Sequence, residues 1–194
     1  MRERRSRMAA LAAALATLML ATVSPMASGA ATRFGSQLDS DASANSTQSC
    51  PISTKTCTWI LAEPYQRPTG LKAPRDGTIR KIRVMAYDTG GTFRPVLARI
   101  RDGGNQAKVV KRGPLLTYNA QPDIENFPYV IKVFSVNLSV RKGDVLGIEA
   151  KRTSLLNCSG QFLPQFQPAL AVGGSFRTQT SDTGCTLMIE AQYS

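Results

Sequence analysis

An alternation of side chains between an apolar phase and a mostly charged phase, within residues 78–87, constrains this chain most strongly. Ile82 and Val84 fall on one phase of the alternation, and Lys81 and Arg83 fall on the other. Successive side chains of a β-strand point to opposite faces, so this pattern predicts a strand with one buried face. A chain that carries such segments buries them by packing sheet against sheet.

Further segments support an all-β fold. Residues 96–101, 145–150 and 187–193 are predicted as strands, and residues 130–138 are apolar on most of both faces, which predicts a central strand. No stretch of helical length in this region has apolar residues at a period of 3.6. Short strands separated by Gly, Pro and Asn turns therefore predict an antiparallel β-sandwich of jelly-roll type over residues 50–194.

The first thirty residues have the organisation of an export signal. Arginines precede the apolar run from Met8 to Val23, and Ser28-Gly29-Ala30 fits the small-x-small pattern of a cleavage site. About sixteen apolar residues are short for a bilayer span of about twenty, which favours cleavage over a transmembrane anchor. Residues 1–30 are thus predicted as a signal peptide, and the mature protein as secreted, extracellular or associated with the cell wall. Residues 31–49 are small and polar, which predicts a short disordered leader.

Cysteine usage agrees with export. The chain has four cysteines, all beyond the predicted signal peptide, and an even number in an oxidising compartment favours two disulfides. Of the three pairings, we favour Cys50–Cys57 with Cys158–Cys185. The first two are close in sequence and flank the entry into the domain, and the other two bracket a loop-rich stretch before the last strand. A zinc site is the alternative, but the chain has no histidine and no Cys-x-x-Cys pair, so we predict no metal and no cofactor.

Two segments resemble those of a known group of proteins. Residues 73–79 read Ala-Pro-Arg-Asp-Gly-Thr-Ile, and residues 142–148 read Lys-Gly-Asp-Val-Leu-Gly-Ile. With the Ala-rich, Arg-led signal, they resemble secreted actinobacterial jelly-roll-type β-sandwich proteins of unassigned function, in outline over residues 58–194. The resemblance implies a structural corner at residues 142–148, and no functional residue follows from it.

Positive charge is the feature of the composition that points to a ligand. The chain has 24 Lys and Arg against 13 Asp and Glu; residues 1–30 hold four Arg and one Glu, so the remainder keeps a formal charge of +8. For an exported protein this favours anionic cell-wall polymers or acidic polysaccharides as partners. No run of five like charges occurs, which argues against a nucleic-acid-binding tail. The oligomeric state stays open.

Four cations are predicted as binding residues: Lys81, Arg83, Arg99 and Arg101. They occupy the polar phases of two consecutive strands, and if these strands are neighbours, the four side chains gather on one sheet face. An ordinary solvated face explains the same charges, so that interpretation stays open as well.

Catalytic patterns are sparse. The absence of histidine excludes Ser-His-Asp and Cys-His catalysis. Ser139 and Lys142 have the Ser-x-x-Lys spacing, but this spacing works on a helix, and here it runs from a strand into a turn. Glu149 and Glu190 are candidate carboxylates for glycan hydrolysis, although pairing with nearby bases such as Lys151 accounts for them equally well.

The sequence therefore predicts a secreted, non-catalytic binding or surface-interaction module for cell-envelope or polysaccharide ligands. A carboxylate-dependent glycan hydrolase or lyase is one alternative. A structural or protein-interaction domain is the other.

Overall fold

The structure is a computed structural model that describes residues 32–38, 45–51, 55–65, 70–86, 90–119 and 129–193. The predicted signal peptide lies outside the described residues. The strands in chain order are β1 (Thr32–Gly35), β2 (Asn45–Ser49), β3 (Cys57–Ile60), β4 (Gly77–Ala86), β5 (Gly91–Arg101), β6 (Gln106–Arg112), β7 (Leu116–Tyr118), β8 (Val130–Val140), β9 (Val145–Ala150), β10 (Arg152–Asn157), β11 (Leu163–Phe166), β12 (Arg177–Thr178), β13 (Ser181–Thr183), β14 (Thr186–Leu187) and β15 (Ile189–Tyr193). A single 3₁₀ turn, Asp102–Gly104, joins β5 to β6 within this part of the chain.

The strands form three sheets. Sheet I has the order β1-β15-β4-β8, sheet II has the order β14-β10-β2, and sheet III has the order β12-β6-β5-β9-β3-β11-β13, with β7 also paired to β5. The pairings between these strands are antiparallel. The predicted all-β, antiparallel fold is confirmed. In the described residues no helix is long and apolar enough to cross a membrane.

The main core lies between sheet I and sheet III. Ile82, Val84 and Ile189 from sheet I and Trp59 and Ile148 from sheet III are fully buried in one cluster. These residues occupy the apolar phases of their strands, so the alternation correctly predicted which side chains face inward. Burial of each such side chain stabilises the fold by about 1.5 to 3 kcal/mol.

The outer face of sheet III is covered as well. Val96 and Val145 pack there with Phe166 and Leu170, which come from β11 and the segment after it. All six residues of β9 are consequently buried, with β5 on one side and β3 on the other. The strand that is buried on both faces is therefore β9, and not residues 130–138 as the sequence pattern predicts.

Strand β8, which covers residues 130–138, lies at one end of the order of sheet I, so the prediction of a central strand is wrong. Ile131 is partly covered by the small cluster of Leu38, Met85 and Met188, whereas Val133 is 53% exposed. Apolar residues on both faces predict burial on both faces only where another layer covers the outer one. At Val133 no such layer is present among the described residues.

Strands β1 and β2 lie within residues 31–49, which the sequence predicts as a disordered leader. Strand β1 pairs with β15 from Thr32 opposite Tyr193, and β2 pairs with β10. Phe34 is fully buried and its ring meets that of Tyr193 edge to face at 5.8 Å between centroids. Ordered structure therefore begins before Cys50, because one buried aromatic and two strand pairings compensate for a polar composition.

Both predicted disulfides are present. Cys50–Cys57 connects the end of β2 to the start of β3, and Cys158–Cys185 connects the end of β10 to the start of β14. No cysteine is free.

Candidate anion-binding site

The four predicted binding residues lie on two different sheets. Lys81 and Arg83 are on β4 of sheet I, whereas Arg99 and Arg101 are on β5 of sheet III. Strand β4 pairs with β8 and β15, and β5 pairs with β6, β7 and β9, so the two strands are not neighbours. The chain changes sheets between them, and the predicted single patch does not form.

Arg83 forms an ion pair that stabilises the fold. Its Nη1 donates to Oε1 of Glu190 at 2.6 Å, and Glu190 is 2% exposed. Arg33 adds a longer contact to the same oxygen, at 3.7 Å. Lys81 is exposed. The residues opposite it on the neighbouring strands are Gln192 and Ser135, and neither is positively charged.

Arg99 and Arg101 do belong to a basic surface, with partners that the sequence did not single out. Five cations make up this surface, which we call the basic strip: Arg99, Arg101, Lys108, Lys111 and Arg141. Four of them, all but Arg101, line a cleft of about 410 Å³ together with Asp144. Arg99 lies directly opposite Lys108 across β5 and β6. Side chains in that relation are about 5 Å apart, and Arg101 follows about 7 Å farther along the strand.

Asp144 is the buried counter-charge of the basic strip. It is 2% exposed; its Oδ1 accepts from Nε of Arg99 at 3.3 Å, and its Oδ2 accepts from the backbone N–H of Arg141 at 2.8 Å. This carboxylate holds the turn between β8 and β9 and fixes the Arg99 head group. One buried carboxylate cannot neutralise five cations, so the strip keeps a strong positive field.

Phe176 organises the outer end of the basic strip. The guanidinium of Arg101 lies 3.8 Å from the centroid of its ring, and the ammonium of Lys108 lies 5.0 Å from it. Cations at such distances are attracted to an aromatic face. Two like charges are thereby held next to each other by one ring.

Ser139 contacts Lys111, not the Lys142 of its Ser-x-x-Lys spacing. Nζ of Lys111 donates to Oγ of Ser139, and the backbone N–H of Lys142 donates to Asp76 at 2.7 Å. The contact is solvent-exposed, whereas a lysine that activates a nucleophile is desolvated. Ser139 therefore helps to place Lys111 at the edge of the cleft.

The candidate carboxylates are engaged in ion pairs on separate sheets. Oε1 of Glu149 accepts from Nη2 of Arg112 at 2.7 Å on sheet III, and Glu190 accepts from Arg83 on sheet I. The partner of Glu149 is Arg112 and not its sequence neighbour Lys151. Among the described residues no group of three or more Cys, Asp or Glu side chains has the arrangement of a metal site.

Part of the basic strip was visible in the sequence. The segment from Arg99 to Arg112 is one of the densest in positive charge, but the placement of Lys108 opposite Arg99 depends on the register of β5 against β6. Arg141 and Phe176 reach the site from a turn and a loop that are distant in sequence, and no local pattern indicates them.

Comparison of the chain with protein families, with curated proteins and with solved structures finds no match.

Proposed function

We propose that this protein is a secreted, non-catalytic binding module for an anionic cell-envelope polymer or acidic polysaccharide, and that the basic strip is its contact surface. The observation that supports this proposal is the arrangement of four cations around one buried carboxylate, with Arg101 next to them on the ring of Phe176. Asp144 and Phe176 orient the cationic heads in advance, which lowers the ordering cost of binding.

The geometry of the basic strip favours a polymer over a single small anion. Arg99, Arg101 and Lys108 are spaced by about 5 to 7 Å along and across two strands, the spacing of neighbouring side chains on one face of a sheet. Lys111 and Arg141 continue the positive charge along the cleft. An acidic polysaccharide or a phosphate polymer repeats its charge along a chain and can meet several of them at once. Each contact is weak when exposed, so affinity depends on their number.

The expectations of export and of a jelly-roll type belong to the same proposal. Two disulfides are typical of an oxidising compartment, and residues 1–30 have the pattern of a signal peptide. Two packed antiparallel sheets are the architecture from which jelly rolls are built.

A glycan hydrolase has less support. Retaining and inverting glycosidases need two carboxyl groups across one cleft. The cleft of the basic strip contains one carboxylate, and that carboxylate is bound by Arg99 and by a backbone N–H.

Retention on immobilised polyanions tests the proposal. The mature protein is applied to polygalacturonate, lipoteichoic acid and neutral dextran at low salt, and the salt concentration of elution is measured. The test variant is Lys108→Gln with Lys111→Gln. The matched control is Arg80→Gln with Lys81→Gln, which removes the same charge from the exposed face of β4.

We expect retention on at least one polyanion and none on dextran. The test variant should bind on the order of tenfold more weakly, since each exposed ion pair is worth up to about 1 kcal/mol. The control should elute close to the wild type. Equal losses in the two variants would show that net charge alone governs retention, and the basic strip would then not be the site.

A further inference from the structure

Sheet III carries a second and larger cleft, separate from the basic strip. Its volume is about 570 Å³, which lies within the usual range for small-molecule sites, about 300 to 1,000 Å³. Residues from β5, β6, β7 and β9 of sheet III and from β2 and β10 of sheet II line it, so two of the three sheets contribute to its walls. None of these residues belongs to the basic strip.

Positive charge dominates one side of this cleft. Arg94, Arg112, Lys151 and Arg152 line it around a single carboxylate, Glu149. Arg112 is the partner of Glu149 at 2.7 Å, and Glu149 is 6% exposed. Because Glu149 pairs with Arg112, no carboxylate among the residues that line the cleft remains for Arg94, Lys151 and Arg152.

The pairing of β5 with β9 determines the position of Arg94. It lies directly opposite Glu149 in the register of β5 and β9, and Thr92 shares its face one step along β5. Its nearest hydrogen-bond partner is the carbonyl of Gly113, at 3.5 Å from Nη1. A contact of that length is weak, so a ligand anion can compete for the guanidinium.

Hydroxyl groups form a further part of the wall, beside the apolar side chain of Leu115. Oη of Tyr118 and Oγ of Ser154 lie 3.1 Å apart, and the backbone N–H of Ser154 donates to Tyr118 at 3.3 Å. Thr47 and Thr92 also line the cleft. Clustered hydroxyls suit the hydroxyl groups of a sugar, because each can both donate and accept.

We propose that this cleft binds a monosaccharide-sized anion, a sugar that carries one carboxylate or one phosphate. The anionic group lies against Arg94, Lys151 and Arg152, and the sugar hydroxyls face Thr92 and the pair formed by Tyr118 and Ser154. The proposal does not depend on the basic strip, since the two sites share no residue.

Isothermal titration calorimetry of the mature protein tests this site. The probes are D-glucuronate and D-glucose 6-phosphate, with D-glucose and inorganic phosphate as controls. The test variant is Lys151→Gln with Arg152→Gln, because both side chains are exposed and their loss leaves the fold intact. The matched control is Lys108→Gln with Lys111→Gln on the basic strip.

We expect one or both sugar anions to bind, with no binding of D-glucose and weaker binding of inorganic phosphate. The test variant should lose at least tenfold in affinity and keep its thermal midpoint, whereas the control variant should bind as the wild type does. Thr92→Val should weaken binding by several-fold, since it removes a hydroxyl from the wall. A preference for glucuronate or for the phosphate identifies the ligand class.

Other outcomes overturn the proposal. If inorganic phosphate binds as tightly as the sugar phosphate, the cleft is a simple anion site. If neither sugar anion binds, or if Lys151→Gln with Arg152→Gln has no effect, the cleft is not the site. A loss in the control variant alone would place sugar binding on the basic strip.

Discussion

Arg83 and Glu190 lie directly opposite each other on β4 and β15, and Nη1 of Arg83 donates to Oε1 of Glu190 at 2.6 Å. The carboxylate side chain is 3% exposed and the arginine side chain is 19% exposed, so the pair is largely withdrawn from water. A charge pattern that resembles a ligand surface thus contains a structural ion pair. The distinction matters because the two roles respond differently to mutation.

Arg83→Met should destabilise the protein by about 3 kcal/mol, the lower end of the range for a buried carboxylate that loses its partner, since Arg33 remains near Glu190. Urea unfolding measures the change. Combining Arg83→Met with Glu190→Gln should recover part of the loss, because the second change removes the unpaired charge. Lys81→Met on the same exposed phase should stay within about 0.5 kcal/mol of the wild type. Additive effects of the two substitutions would contradict the pairing.

Phe34→Ala should cost about 3 to 5 kcal/mol, as expected for a fully buried phenylalanine. The change removes the contact with Tyr193 that fastens β1 to β15. Leu115→Ala is a suitable control, because Leu115 is 56% exposed and its loss should have little effect. A thermal midpoint of Phe34→Ala equal to that of the wild type would show that residues 32–35 are dispensable for the fold.

Replacement of Cys158 and Cys185 by serine should lower the free energy of unfolding by about 3 to 4 kcal/mol, and replacement of Cys50 and Cys57 by about 2 to 3 kcal/mol. The first bridge spans 27 residues and the second spans 7, and the longer loop gains more entropy when it is opened. Chemical denaturation of the two double variants gives the comparison. Peptide mapping under non-reducing conditions checks the pairing, and any bond between Cys50 and Cys158 would contradict it.

Loss of the Cys50–Cys57 bridge should also weaken the larger cleft. Cys50 donates its backbone N–H to the carbonyl of Lys151 at 2.9 Å, and Thr47 and Thr56 line the cleft on either side of the bridge. In the Cys50→Ser, Cys57→Ser variant, affinity for the sugar anion should fall, while retention on polyanions through the basic strip should persist. Calorimetry and column retention on the same sample separate the two effects. A parallel loss of both activities would indicate general unfolding.

Asp144→Ala should destabilise the protein by about 1 to 3 kcal/mol, because the backbone N–H of Arg141 in the turn and the guanidinium of Arg99 lose their shared buried acceptor. Asp144→Asn should lose less, since its amide oxygen still accepts one of these hydrogen bonds. Thermal unfolding ranks the three proteins. If the alanine and asparagine variants are equally destabilised, the negative charge and not the hydrogen bond is what the turn requires.

The sequence predicted the elements whose pattern is local. Alternation located the buried faces of β4 and β15, and the positions of the four cysteines along the chain indicated both bridges. The sequence pattern failed for β8, because apolar residues on both faces of a strand do not show whether another layer covers each face. It also failed for β1 and β2, whose order depends on pairing with strands more than a hundred residues away.

The candidate site was predictable only in part, for a similar reason. Arg99 and Arg101 were found because one strand carries both. Pairing them with Lys81 and Arg83 assumed that consecutive strands are neighbours, which holds in many sheets but not where the chain crosses to another layer. Arg141 and Phe176 join the basic strip through tertiary packing alone.

The position of β15 between β1 and β4 sets an order of events for folding. The first and fourth strands of the chain lie on either side of β15, which comprises residues Ile189–Tyr193. Sheet I therefore cannot close until these residues have been synthesised, and its formation brings together segments that are far apart in sequence, which slows folding. A chain interrupted before Ile189 leaves β1 without its partner strand, so synthesis as far as Tyr193 is a condition for assembling this sheet.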